Sequence, residues 1–232
     1  MSRVVLALST STPRGSVALL RDGVPIGSSG YADLQGHAER IFEAIDRVLA
    51  EGSVTRAELT ALACDVGPGS FTGVRVGLAT AKGICLALGL PLVGVGSLEA
   101  MAAAAFGEGV AEKEAVVVAA IDAKKGEVFV AGYDAAGLEV ATARTALAGP
   151  AAFVIEEKAR PVVVVGEIAG PILGEGASRR GASVDLPDAA WIGRLADARL
   201  AKGERPDAAE VEAVYVRPPD ITLPGGVPAH AV

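Results

Sequence analysis

The sequence predicts an α/β protein made from one unit used twice. Three observations carry this. Residues 3–96 read as three strands followed by helix, strand, helix and strand. A second run of three strand-like segments begins at residue 115. The helical segments announce themselves by period: Ile41, Ala44, Ile45, Val48 and Leu49 recur at i, i+3, i+4, i+7 and i+8, one apolar stripe. The 232 residues are 51% hydrophobic and only 4% aromatic, so the core is aliphatic.

Taken in order, residues 4–8 are a short aliphatic run suited to a buried strand, and residues 9–15 are a Ser/Thr/Pro/Gly turn cluster. Residues 16–20 and 26–31 make two more strands, joined through Asp22-Gly23, a hairpin signal. The first helix follows, opened by His37, with Glu43 and Arg47 as an i,i+4 pair on its wet side and Gly52 as its stop. Residues 59–66 form the next strand. A second helix spans about residues 71–88 and ends at Gly89-Leu90-Pro91; residues 92–95 are the fifth strand. Beyond residue 112, strands are expected at 115–121, 127–133 and 138–143, with turns at 122–126 and 134–137. A short helix is expected at 150–158, a β-branched strand at 162–165, and a final helix at 189–202 carrying Trp191, Ile192 and Leu195.

Three antiparallel strands followed by α-β-α-β crossovers is the element order of the ribonuclease-H-like unit, which builds the actin-like ATPases and sugar kinases. The expected fold is therefore α/β, a duplicated ribonuclease-H-like fold in two domains. Residues 1–100 form the first unit, 101–217 a smaller, degraded repeat, and 218–232 a tail with four prolines and two glycines. Element order alone assigns no activity.

Composition narrows the function. The formal charge is −7, which disfavours autonomous binding of nucleic acid. No apolar run approaches the roughly 20 residues of a membrane span, and residues 4–8 are too short for a signal-peptide core; a soluble cytoplasmic protein is expected. The two histidines, His37 and His230, form no His-x-x-x-His pair, and Cys64 and Cys85 form no Cys-x-x-Cys, so a zinc site of the usual kind has no ligands. Both cysteines lie in apolar segments and read as buried, reduced thiols.

The most informative stretch is Gly67-Pro68-Gly69-Ser70-Phe71-Thr72-Gly73-Val74-Arg75-Val76-Gly77. Glycines at a helix start present free amides to an anion; glycines inside a helix admit another backbone. No Gly-Lys-Ser/Thr follows at Walker A spacing, and the G-x-G-x-x-x-G run has one residue too many for the dinucleotide fingerprint. The helix that follows holds Gly73, Gly77 and Ala81 on one side and Ala79, Gly83 and Ala87 on another; Val74, Leu78 and Cys85 form an apolar stripe beside Arg75 and Lys82. Each interior glycine costs ~1 kcal/mol relative to alanine. Packing on the chain's own sheet and first helix accounts for small residues there, and so does a helix from another chain. Ser9 stands at the end of the first strand, where a nucleotide-binding relative of this fold would place a carboxylate for Mg²⁺. Asp122, Lys124 and Glu127 cluster around a hairpin turn, either as solvated charges or facing a cleft or partner.

The chain resembles the TsaB (YeaZ) family of bacterial threonylcarbamoyladenosine biosynthesis subunits. The resemblance rests on residues 67–77, on Val4-Val5-Leu6-Ala7-Leu8 with Ser16-Val17-Ala18-Leu19, on His37, on residues 120–129 and on Val214-Tyr215-Val216-Arg217. It implies a non-catalytic scaffold with no catalytic or metal-binding residue and no tightly bound cofactor. The implied partners are TsaD, a larger paralogue, and the ATPase TsaE, with self-pairing when TsaD is absent. That complex would use ATP and threonylcarbamoyl-AMP to modify the adenosine beside the anticodon of tRNAs reading A-starting codons; tRNA would be met only through the complex. The partner surface is expected on the first two helices, through His37, Ile41, Phe42, Ile45, Leu49, Arg75, Leu78 and Lys82, with Gly67, Gly69, Gly73 and Gly77 as a structural loop. Two positions depart from the family pattern: Ser9 where Asp is usual, and Lys124 where Arg is frequent. A small actin-like phosphotransferase is the alternative; a metallopeptidase would need the metal ligands the sequence lacks.

Overall fold

The computed structural model describes residues 2–32, 37–137, 139–147, 160–166, 177–179, 184–216, 222–223 and 227–228. Strands β1 (Val4–Ser9), β2 (Arg14–Arg21) and β3 (Val24–Ala32) run antiparallel; β4 (Ala61–Asp65) and β5 (Leu92–Val95) add in parallel, giving the order β3-β2-β1-β4-β5. Strands β6 (Val116–Lys124), β7 (Glu127–Tyr133), β8 (Glu139–Leu147), β9 (Val162–Val165) and β10 (Ala177–Arg179) repeat that plan as β10-β9-β6-β7-β8. The second sheet thus has the same antiparallel triplet and the same parallel pair of additions, and the duplication read from the strand pattern is present.

Both faces of the first sheet are covered, which is why β1 reads as an unbroken apolar run rather than an alternating one. Leu6, Leu8, Val17, Leu19, Leu62 and Leu92 point to one face, with helix α1 (His37–Glu51) against it; Cys64 on that face meets Ala81 and Cys85 of α2 (Phe71–Leu88). Val5, Ala7, Ala18, Leu20, Ala63 and Val93 point to the other, against Ala189, Ile192, Ala196 and Leu200 of α4 (Ala189–Ala201). The sequence reading assigned α4 to the second unit; the chain instead returns it to the first sheet, where Gly193 lets Leu20 and Ala7 approach. Helix α3 (Ser97–Gly107), which lacks a clear apolar stripe and was not expected, packs Leu98, Met101 and Ala105 against β6 and β7. Its alanine content (five of eleven residues) favours helix without the periodic pattern that would have revealed it.

Local turns follow the residues. Asp22 and Gly23 have φ of 49° and 78°, the left-handed pair that a two-residue hairpin requires. The β6–β7 turn is tighter than expected: Asp122 lies within β6, and Lys125-Gly126 alone make the turn, with φ of 56° and 76°. At the end of α1 the left-handed residue is Ser53 (φ 51°), not Gly52. Gly52 is small because Leu19 and Ile26 fill the space a Cβ would take. The helix expected at 150–158 lies outside the described residues, as do His230 and most of the tail; within the tail, β11 (Thr222–Leu223) pairs with β12 (Val227–Pro228). Among the described helices, α2 alone is long and apolar enough to cross a bilayer by length and composition, whereas the sequence reading found no such run; its buried residues, Gly73, Val74, Gly77, Ala81 and Cys85, face the protein's own interior.

Candidate functional site

Strands β1 and β4 end side by side, the place where open α/β sheets receive ligands. The glycine loop leaves β4 there. Gly67 adopts a left-handed φ of 94°, Ser70 caps α2 by accepting from the Gly73 amide at 3.3 Å, and Gly89 (φ 65°) closes the helix. The remaining glycines serve proximity. A Cβ on Gly69 would stand 2.2 Å from the Ser11 carbonyl oxygen, one on Gly73 2.0 Å from that of Thr10, and one on Gly77 2.2 Å from the Thr10 hydroxyl. The β1–β2 turn therefore lies directly on the loop and the first turns of α2. The Ser70 amide donates to the Ser11 carbonyl at 2.6 Å, and the Thr10 hydroxyl to the Gly73 carbonyl at 2.8 Å. The Gly67, Ser70 and Gly73 amides of the loop and helix start are thus in use by the chain itself.

Under this contact lies a polar group that the sequence reading missed. The buried Asp65 carboxylate accepts from the hydroxyls of Ser9 (2.9 Å), Ser11 and Ser97 and from the Gly67 amide (2.9 Å). Burial pushes its carboxyl above the ordinary range against the pull of those four donors. Ser9 is thus a partner for an internal carboxylate. A lone acid closing the apolar run Ala61–Asp65 is the signal that could have found it.

The predicted partner residues separate sharply. Ile41, Ile45 and Leu49 are buried in the core beneath α1, so their expected place on a partner surface is corrected: the apolar stripe of α1 covers its own sheet. Phe42, off that stripe, is 54% exposed. Leu78 is half-buried and packs on the same core. His37 opens α1; its side chain lies outside the description. On α2, Arg75 is exposed, its guanidinium 3.7 Å from the Phe71 ring centroid and its Nε donating to the Tyr215 hydroxyl at 3.0 Å; the Lys82 ammonium donates to the Ala209 carbonyl at 3.0 Å. Residues 205–216 thus run as a strap along α2, anchored also by the Val214 amide on the Val66 carbonyl at 2.8 Å. Tyr215 and Phe71 lie outside the set of expected partner residues.

The two glycine-bearing sides of α2 differ. Gly73, Gly77 and Ala81 are buried on the chain's own backbone and core. Ala79, Gly83 and Ala87 are exposed, a Cβ on Gly83 would meet nothing within 4 Å, and neighbouring Leu86 is 86% exposed. At the β6–β7 hairpin, Lys124 pairs with Asp122 at 2.7 Å, which holds the Asp122 carboxyl below its usual range, and Glu127 stands opposite Lys124 in the ladder. Among the described residues no group of three His, Cys, Asp or Glu side chains converges to hold a metal ion.

A twice-used β3-β2-β1-β4-β5 sheet whose glycine loop is stoppered by its own turn defines a member of the actin-like ATPase and sugar-kinase fold class. The (R)-2-hydroxyglutaryl-CoA dehydratase component A of Acidaminococcus fermentans shares that fold, at TM-score 0.56 and 12% identity over 86% of this chain and 100% of that one. A family model described as TsaD, tRNA N6-adenosine threonylcarbamoyltransferase, matches residues 34–164, more than half of the chain. The tRNA threonylcarbamoyladenosine biosynthesis protein TsaB of Escherichia coli is 33% identical over 223 residues, 92% of this chain and 94% of that protein. A Pseudomonas aeruginosa protein with similarity to peptidase YEAZ superposes at TM-score 0.80 with 30% identity, covering 93% of this chain and all of that one. The chain belongs to the TsaB (YeaZ) family, whose named members serve tRNA threonylcarbamoyladenosine biosynthesis.

Proposed function

We propose that this chain is a non-catalytic scaffold that pairs with TsaD, and with it and TsaE forms the complex that transfers a threonylcarbamoyl group to the adenosine beside the anticodon. The observation that carries this reading is the outer side of α2. An interior glycine costs ~1 kcal/mol in helix stability, and at Gly73 and Gly77 the chain's own turn explains it. At Gly83 nothing among the described residues does. Close approach of a second backbone does explain it, and it explains the exposed Leu86 and Phe42 as well. The stoppered loop supports the absence of an own-site phosphotransfer: Ser70 and Gly73 amides are engaged, and the carboxylate at the strand ends is saturated by hydroxyls. ATP and threonylcarbamoyl-AMP would then be handled by the partners, tRNA would be met only through the complex, and the setting would be the cytoplasm. In the absence of TsaD the same side of α2 would support a homodimer.

Co-purification with TsaD tests the reading. Leu86→Glu, a change on an exposed residue, is expected to abolish pairing without altering the chain's unfolding midpoint. A wild-type chain that does not pair, or a Leu86→Glu variant that pairs normally, would refute it.

A further inference from the structure

Helix α4 is fastened to helix α3 at both ends. In its first turn Trp191 fills a notch in α3: a Cβ on Gly107 would stand 1.8 Å from the indole ring, and the indole N–H donates to the Glu108 carboxylate at 3.1 Å. In its last turn one terminal amino group of Arg199 donates to both oxygens of Glu99, at 2.6 and 2.8 Å, and the other donates to the Gly94 carbonyl at 2.7 Å. Trp191 and Arg199 are eight residues apart, and so are Gly107 and Glu99. The helices therefore run antiparallel, with anchor points ~12 Å apart on each. They belong to different units. Helix α4 packs Ile192, Ala196 and Leu200 on the first sheet, where Arg3 also holds its Asp197 at 2.7 and 2.9 Å. Helix α3 packs Leu98, Met101 and Ala105 on the second sheet and lends Ala100 to the core beneath α4.

The chain also occupies the space between the strand ends. Asp185 accepts from the Gly166 amide just past β9 at 2.8 Å, and two residues on the Pro187 carbonyl stands 3.4 Å from the Ser9 hydroxyl at the end of β1. The Ala189 amide then donates to the Ser16 hydroxyl on β2 at 2.9 Å. The 205–216 strap makes a further tie, with Val211 against the first core and Val216 against the second. Two units in one chain move relative to one another unless the contact between them is extensive and apolar, and closure about a hinge is how such pairs grip a ligand.

We infer that the α3–α4 pair is a joint locked at both ends, which holds the two units at one angle and removes hinge motion from this chain. The inference does not depend on the docking reading: it concerns the body of the molecule, whatever meets α2.

Distances between spin labels on the full chain test it. One pair, on Arg47→Cys and Ala136→Cys, spans the two units; the other, on Arg21→Cys and Thr72→Cys, lies within the first. All four positions are exposed, and the two native thiols are buried. Wild type should give one narrow distance distribution for each pair. Trp191→Leu with Arg199→Gln releases both anchors and should broaden the inter-unit distribution roughly twofold or more while leaving the pair within the first unit narrow. A broad or two-peaked inter-unit distribution in wild type overturns the lock. An inter-unit distribution in the double variant as narrow as that of wild type overturns the assignment to these anchors. If the double variant broadens both pairs, the fold has been lost, and Arg199→Gln alone decides: with the first unit intact, inter-unit broadening supports the inference and an unchanged distribution overturns it.

Discussion

Alanine substitutions at the three glycines within α2 should change stability in opposite directions. At Gly83 an added methyl meets nothing within 4 Å, so only helix propensity changes. Gly83→Ala should stabilise the free chain by roughly 0.5–1 kcal/mol. At Gly73 the methyl would stand 2.0 Å from the Thr10 carbonyl oxygen, a backbone atom of a buried residue. The turn cannot retreat without giving up the Ser70-to-Ser11 and Thr10-to-Gly73 hydrogen bonds. Overpacking of this kind costs about 1–3 kcal/mol or more and each lost buried bond about 1 kcal/mol or more, against a propensity gain of ~1 kcal/mol. Gly73→Ala should lose about 2 kcal/mol or more net. Gly77→Ala meets a side-chain atom, the Thr10 hydroxyl, and should fall between, relieved in part by Thr10→Ala. Urea unfolding followed by circular dichroism reads all three as midpoint shifts. A destabilised Gly83→Ala, or a Gly73→Ala as stable as wild type, would contradict the packing described. The stabilised Gly83→Ala should also pair less well with TsaD, because the methyl occupies space reserved for another backbone; equal or tighter pairing would remove the reason given for that glycine.

Other consequences are open to direct measurement. Asp65→Ala removes the shared acceptor of three hydroxyls and an amide, leaving Ser9 only the Pro187 carbonyl at 3.4 Å and Ser97 only the Ser11 hydroxyl at 3.2 Å, and should cost ~3 kcal/mol, seen as a lower unfolding midpoint. Because burial raises the Asp65 carboxyl above its unfolded value, its contribution is full below the ordinary carboxylate range and declines as pH rises through the raised value. Asp65→Asn should remove that part of the pH dependence; an unchanged slope would count against it. Cys64 and Cys85 are free and buried, with burial raising the Cys85 thiol to about 11 and that of Cys64 well above its usual value. Thiol reagents should label both only on unfolding, and fast labelling of native protein would contradict the burial. Calorimetry of the isolated chain with Mg-ATP should give no heat, whereas tight Mg-dependent binding would restore the phosphotransferase alternative.

What the sequence made legible was whatever local chemistry controls. The Ile41–Leu49 stripe, the Asp22-Gly23 turn and the launch of α2 from the glycine loop all stand where spacing and turn residues put them. Long-range contacts were not legible. The periodicity that found α1 is the reason Ile41, Ile45 and Leu49 looked like a contact surface: an apolar stripe has the same spacing whether it covers its own sheet or a partner's. The two small sides of α2 likewise look equivalent on a helical wheel and are separated only by Thr10, some sixty residues earlier in the chain. Asp65 meets Ser9, Ser11 and Ser97 through three different elements, so no local motif announces the group. Helix α3 escaped because alanine forms helix without marking a face; α4 stands where its residues put it, but nothing in them says to which sheet it returns.

The central claim is that this chain acts by pairing through the outer side of α2. Measuring its mass in solution, alone and mixed with TsaD, wild type beside Leu86→Glu, tests that most directly. The account predicts a heterodimer for wild type and only the separate chains for Leu86→Glu. Unmixed wild type with TsaD present, or a heterodimer that survives Leu86→Glu, would contradict it.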